Sequence, residues 1–131
     1  MKRLNYLIFC AILCMATIAN AGVHKIPYTD TEIVNAIYTI EGGNLTNYPY
    51  GITPPCPYTK KQKFSRQLWA REMCFTTVRN HRIRHAEHNC GKDFLECLRD
   101  RYCPLNDKSD IRGLNENWLP NLMYMLERGR K

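Results

Sequence analysis

The sequence predicts a mainly helical domain, disulfide-bonded, with one small irregular loop or hairpin lobe after its first helix. Three observations carry this expectation. Apolar residues recur three and four apart in four segments. Capping residues precede those segments, and glycine or proline follows the first three. Five cysteines lie downstream of an amino-terminal leader, in a part of the chain expected to reach an oxidising compartment.

Residues 1–21 read as that leader, a cleavable signal peptide. Met1-Lys2-Arg3 is a positive start, Leu7 to Ala19 is an almost uninterrupted apolar run, and Ala19-Asn20-Ala21 is an A-x-A cleavage site before Gly22. The run falls short of the roughly 20 residues that a spanning helix needs. Cleavage leaves residues 22–131, enough for one domain with one modest core. The expected location is therefore secreted or periplasmic. Without Lys2 and Arg3, 17 of the 19 basic residues remain against 12 acidic ones, a net charge of about +5. Such a domain favours anionic surfaces, and charge alone does not choose among nucleic acid, phospholipid headgroups and acidic wall polymers.

The first helix opens at a capping box, Thr29 with Glu32, and Tyr28 and Ile33 stand where a hydrophobic staple would close. It runs to about Glu41, where Gly42-Gly43 offers a left-handed stop. In residues 44–64, Pro49, Pro54, Pro55 and Pro57 stand among glycine and asparagine and exclude a regular helix, so a loop or small hairpin is expected. A long second helix is expected to start after Ser65 and run towards Asn89, with Leu68, Phe75 and Val78 inward and Gly91 as its stop. The third spans Asp93 to Tyr102, carries Phe94, Leu98 and Tyr102 four apart, and stops at Pro104. Residues 105–114 form a polar loop. The last helix has Asn115 or Asn117 as its cap, Pro120 in its first turn, and Trp118, Leu122, Met125 and Leu126 on one side.

The five remaining cysteines, Cys56, Cys74, Cys90, Cys97 and Cys103, allow at most two bridges within the chain and leave a thiol over. Zinc binding is disfavoured because no C-x-x-C occurs. His81, His85 and His88 share one helix face, but Arg79, Arg82 and Arg84 interleave with them, and a basic solvated stripe is expected there rather than a metal. The Lys60-Lys61-Gln62-Lys63 run and the Arg128-Gly129-Arg130-Lys131 tail are read as solvated charges. No cofactor and no metal are expected.

Glu41 is the residue most open to chemistry. At 100° per residue it lies within about 40° of Ile37 and about 20° of Val34, so its carboxyl falls on the apolar stripe. A carboxyl held at the core edge is suited to deliver a proton as a general acid. A solvated glutamate beside a glycine cap is the plainer alternative.

The segment Ala36-Ile37-Tyr38-Thr39-Ile40-Glu41-Gly42-Gly43, followed by Asn47-Tyr48-Pro49-Tyr50-Gly51-Ile52, resembles the catalytic helix and loop of lysozyme-like lytic transglycosylases and related peptidoglycan glycosidases. Arg101-Tyr102-Cys103-Pro104, Asp110, Gly113-Leu114-Asn115 and Trp118 to Asn121 resemble the closing portion of small exported relatives of that group. The resemblance implies a lysozyme-like domain over residues 22–131, with Glu41 as acid/base. It also implies a cleft wall containing Tyr50, Gly51 and Ile52, a Tyr102 hydroxyl near the glutamate, and loop tyrosines such as Tyr48 packing on sugar rings. Glu-Gly stands in place of the family's usual Glu-Ser, Tyr-Gly-Ile-Thr in place of G-L-M-Q, and the A-Y-N-x-G stretch is missing.

The implied partner is the glycan strand of peptidoglycan, with peripheral wall association through the basic surface and no nucleic acid. The oligomeric state is open. The implied reaction uses one glutamate: Glu41 protonates the glycosidic oxygen, then takes a proton from the sugar's own 6-hydroxyl. Hydrolysis, with Asp107 or Asp110 holding a water, is a second route. Two non-enzymatic alternatives are a wall- or carbohydrate-binding module of the same fold and a basic effector that acts on membranes or a protein partner.

Overall fold

The computed structural model describes residues 26–53, 55–88 and 90–131; the segment read as a signal peptide, 1–21, lies outside the described residues. Among the described residues four helices form the fold: α1 (Asp30–Ile40), α2 (Lys63–His88), α3 (Phe94–Tyr102) and α4 (Trp118–Arg128). Short 3-10 turns at Gly43–Leu45, Pro49–Gly51 and Leu114–Asn117 complete the regular structure. No strand occurs among the described residues, so the lobe after α1 is a loop with two tight turns and not a hairpin. Its prolines and left-handed residues leave no run long enough for a ladder.

α1 is the hub. Thr29 accepts a hydrogen bond from the Glu32 amide at 3.2 Å, and the Glu32 carboxylate accepts from the Thr29 amide at 2.6 Å. That closed box fixes the start of the helix. Ile33, Val34, Ala36 and Ile37 bury one face of it against α2, α4 and the Pro49–Gly51 turn. α2 presents Ala70, Cys74, Val78 and His81, α3 Phe94, Leu95 and Leu98, and α4 Trp118, Leu122 and Leu126. Spacings of three and four residues give each helix a single apolar stripe, and four such stripes close one core.

The start of α2 differs from expectation. A turn in which Gln62 accepts from the Thr59 amide at 3.0 Å leads the chain into helix at Lys63, two residues before Ser65. The inward face also shifts: Leu68 is 49% exposed, and Ala70 and Cys74 take the core positions. The close approach of α1 and the Pro49–Gly51 turn admits the smaller side chains there. Asp93 caps α3 with a second closed box through Glu96. At α4 neither expected asparagine caps by its side chain; the 3-10 turn Leu114–Asn117 runs directly into the helix.

Two arginines expected to be solvated, one from the stripe on α2 and one from the tail, are structural, while Arg79, Arg84, Arg128 and Lys131 are exposed as expected. Arg82 donates to the Asp30 carboxylate at 2.8 Å and to the Tyr28 carbonyl at 2.9 Å, and lies over the Phe94 ring. It ties α2 to the entrance of α1. Arg130 stacks over the Tyr28 ring, donates to the Pro27 carbonyl and approaches the Glu32 carboxylate at 3.6 Å. The carboxy-terminal tail is thus clamped to the start of α1. No helix among the described residues is long and apolar enough to cross a membrane.

His81 belongs to the core, packed on Phe94 at 5.2 Å between ring centres, with its Nε2 buried and lacking a hydrogen-bond partner. Burial pushes the imidazole below its ordinary value, and the nearby positive charge of Arg84 adds to the effect. The unfolded chain therefore takes up this proton first as the pH falls past about 6.5. Stability should decline from that pH downward until the folded-state value is passed, and then level off on this account. Thermal melts from pH 7.5 to 5 should show the decline, and His81→Leu should flatten it. An unchanged slope in the variant would exclude His81 as its source.

Candidate active site

Glu41 is the C-cap of α1, and its amide donates to the Ile37 carbonyl at 3.0 Å. The chain then turns sharply away through Gly42, whose φ of 85° is left-handed. The Glu41 side chain is half-buried. Its Oε1 accepts a hydrogen bond of 2.8 Å from the Trp118 indole N–H, at the first residue of α4. Sequence reasoning placed Trp118 in the core and missed this role. The partners are 77 positions apart, so no local pattern could have paired them.

The loop returns over the carboxylate at Tyr50-Gly51. Both residues hold left-handed backbone, with φ of 63° and 64°. For Gly51 this is easy, but for tyrosine it is uncommon. The Tyr50 ring is 4% exposed and sits 4.8 Å from the Tyr38 ring, and this packing holds the residue in place. A Cβ on Gly51 would lie 2.9 Å from both Cδ and Oε2 of Glu41. Only a residue without a side chain lets the loop close so tightly on the acid.

Tyr102 stacks on Trp118, 5.4 Å between ring centres and 24° between planes. Its hydroxyl donates to the Tyr50 carbonyl at 3.1 Å and lies 3.2 Å from the Cys74 sulfur. The hydroxyl is thus directed at the Tyr50-Gly51 turn, and Tyr102 reaches Glu41 through the Trp118 ring. Burial raises the Tyr102 phenol well above its ordinary value. It also pushes the Cys74 and Cys103 thiols up to about 11 each, with the Glu41 charge adding to both shifts. Both thiols are therefore protonated at neutral pH.

Of the remaining cleft-wall candidates, Ile52 is half-buried against the core, and Tyr48 is 43% exposed. Tyr48, Ile52 and Cys56 line a small pocket with Trp69 and Arg66, on the α2 side of the loop. A larger open groove of about 420 Å³ adjoins it between residues 43–49 and the start of α2. Glu41 is not among the residues lining either. Tyr38, unassigned from sequence, buttresses the loop: its ring meets Gly43, and its hydroxyl donates to the Asn44 side chain.

Asp107 and Asp110 are engaged in their own loop. Asp107 accepts from the Ser109 amide and hydroxyl at 2.8 and 2.7 Å, and Asp110 accepts from the Leu114 and Asn115 amides at 2.8 and 2.7 Å. Their lone pairs are directed at backbone donors that shape the turn into α4.

Cys90 and Cys97 form a disulfide with Cα atoms 6.5 Å apart, while Cys56, Cys74 and Cys103 are free. Among the described residues one bridge forms where the five cysteines permitted two. The His85 nitrogen and the sulfurs of Cys90 and Cys97 all lie within 4.8 Å of one another. With the sulfurs bonded to each other, that cluster has no thiolate to offer a metal.

The chain matches no protein-family model, no curated protein and no solved structure, so the functional reading rests on the site itself and on the sequence pattern.

Two substitutions probe the cluster. Trp118→Phe keeps the ring and removes the donor, and should cost about 1 to 3 kcal/mol in chemical denaturation, the range for leaving a buried polar partner unsatisfied. Gly51→Ala should cost about 1 to 2 kcal/mol from its left-handed backbone alone, and its methyl should displace the Glu41 carboxylate. If both variants unfold at the parent's denaturant midpoint, the Glu41 cluster contributes nothing to stability.

Proposed function

We propose that the chain is an exported peptidoglycan glycosidase of lysozyme-like fold, a lytic transglycosylase or muramidase, with Glu41 as its general acid/base. The observation that carries this reading is the placement of Glu41. It ends a helix with one buried face, one oxygen is held by the Trp118 indole, and the carboxylate lies against the backbone of Gly51, which has no side chain to displace it. Fixing Oε1 by an N–H donor leaves Oε2 as the oxygen that carries the proton. In the proposed cycle Oε2–H protonates the glycosidic oxygen as the C1–O bond breaks. The resulting carboxylate then accepts the proton of the sugar's 6-hydroxyl, whose oxygen closes on C1 to give a 1,6-anhydro end.

The engagement of Asp107 and Asp110 by backbone amides favours this one-carboxylate route over hydrolysis assisted by either of them. Tyr102 and Tyr50 act as positioning residues, since their contacts fix the turn over the carboxylate. The apolar leader accounts for export and the net positive charge for attraction to an acidic wall.

A second reading is favoured by one observation: the open groove beside the loop is not lined by Glu41. A wall- or carbohydrate-binding module that has lost turnover would fit that arrangement.

The residues 22–131 protein incubated with purified peptidoglycan should release muropeptides bearing 1,6-anhydro ends, read by mass spectrometry. Glu41→Gln should lower release by roughly 100-fold or more, the range expected for loss of a general acid/base. Reducing ends instead of anhydro ends would indicate hydrolysis. Sedimentation with the wall and no released sugar would support the binding module and overturn the enzymatic reading.

A further inference from the structure

The groove of about 420 Å³ lies between the loop that follows Glu41 and the first two turns of α2. Its lining includes Lys60, Lys63 and Arg66 on one side and Asn44, Asn47 and Gln67 around them, and no acidic residue is among its lining residues. Among the described residues none of these three cations makes an ion pair; the ion pairs present involve Arg71, Arg82, His88, Lys92, Arg99 and Arg130. Arg66 is held in place by donating through Nη2 to the Asn47 carbonyl at 3.0 Å, which leaves its other N–H groups free for a ligand. The polar wall is also ordered: Gln67 donates to the Tyr38 hydroxyl at 3.1 Å, and that hydroxyl donates to Asn44. Lys60 and Lys63 are exposed. The result is a concave, open site with three uncompensated positive charges and fixed amide groups, in which the field is focused.

The groove shares its loop with the acid. Gly43 and Asn44 begin its lining two residues after Glu41, and Pro49 ends it two residues before the Gly51 contact with the carboxylate. We propose that this groove binds the carboxylates of the peptide stems attached to the glycan strand, and so selects peptide-substituted over naked polysaccharide. This rests on the reading of the chain as a wall-directed protein but not on its turnover. A sugar chain seated at Glu41 would carry its anionic side branches along the 43–49 loop, where three cations and no acid await them.

The experiment measures sedimentation of the Glu41→Gln protein, residues 22–131, with purified peptidoglycan freed of phosphate polymers. A parallel sample of the same wall has its peptide carboxylates capped as neutral amides. Lys60→Glu with Lys63→Glu should weaken binding to the uncapped wall at least about tenfold at low salt. It should leave binding to the capped wall unchanged. Lys108→Glu with Arg112→Glu, an equal change of charge in the 105–114 loop, should bind the uncapped wall as the parent does. Equal losses for the two double variants would reduce the effect to net charge and overturn the groove. So would a Lys60/Lys63 variant that binds as tightly as the parent, or one that loses affinity equally for the capped wall. Muropeptide release by the Glu41 parent is read separately: selective binding without release removes the glycosidase and keeps the groove, and release without selective binding does the reverse.

Discussion

The hydrogen bond from the Trp118 indole to the Glu41 carboxylate joins the end of the first helix to the start of the last. A half-buried carboxylate costs stability unless a donor meets it, and here the donor comes from the residue that also anchors α4 in the core. Ile33, Val34 and Ile37 are fully buried beside it, so the direction in which Glu41 leaves α1 is set by packing and not by the loop beyond. The loop must then fit the acid. Gly51 does so by lacking a side chain, and Tyr50 by tolerating a left-handed backbone while its ring is held against Tyr38.

That dependence runs outward through Tyr102. Its ring stacks on Trp118 and its hydroxyl holds the carbonyl of Tyr50, so one side chain braces both the donor of the acid and the turn that covers it. The free thiols of Cys74 and Cys103 lie in the same neighbourhood and are kept neutral by burial. A second negative charge there would repel the Glu41 carboxylate. Protonated sulfur adds packing without charge, which fits a cluster arranged around a single carboxylate.

What the sequence disclosed was what is local. The Thr29–Glu32 box, the Asp93–Tyr102 segment ending before Pro104, the Gly42 stop and the Glu41 position on the stripe all depend on residues within a few positions of one another, and each stands in the structure as expected. The inward face of α2 did so only in part: Val78 is buried and Phe75 packs against the core, but Leu68 is exposed. Its stripe is polar and basic enough that Leu68 outweighed Ala70, whereas close packing against α1 selects the small residue. Arg82 and Arg130 read as solvent charges because their partners, at Asp30, Tyr28 and Pro27, are far away in the sequence. The indole donor to Glu41 was hidden for the same reason. Composition placed a tryptophan in the last helix; only the fold gave its N–H a destination.

The two basic clusters of α2 divide along the same line. Towards its carboxy-terminal half, Arg82 is committed to Asp30 and His81 to the core, so these two residues serve the fold, and the buried His81 costs stability as acid charges it. Towards its amino-terminal end, Lys63 and Arg66 face an open groove with no carboxylate to answer them. A protein gains nothing in stability from like charges gathered in a concavity, since their repulsion opposes folding. Packing in the core does not require Lys60, Lys63 and Arg66 to converge, which leaves recognition of an anion as the physical role that suits them, on the loop that also closes over Glu41.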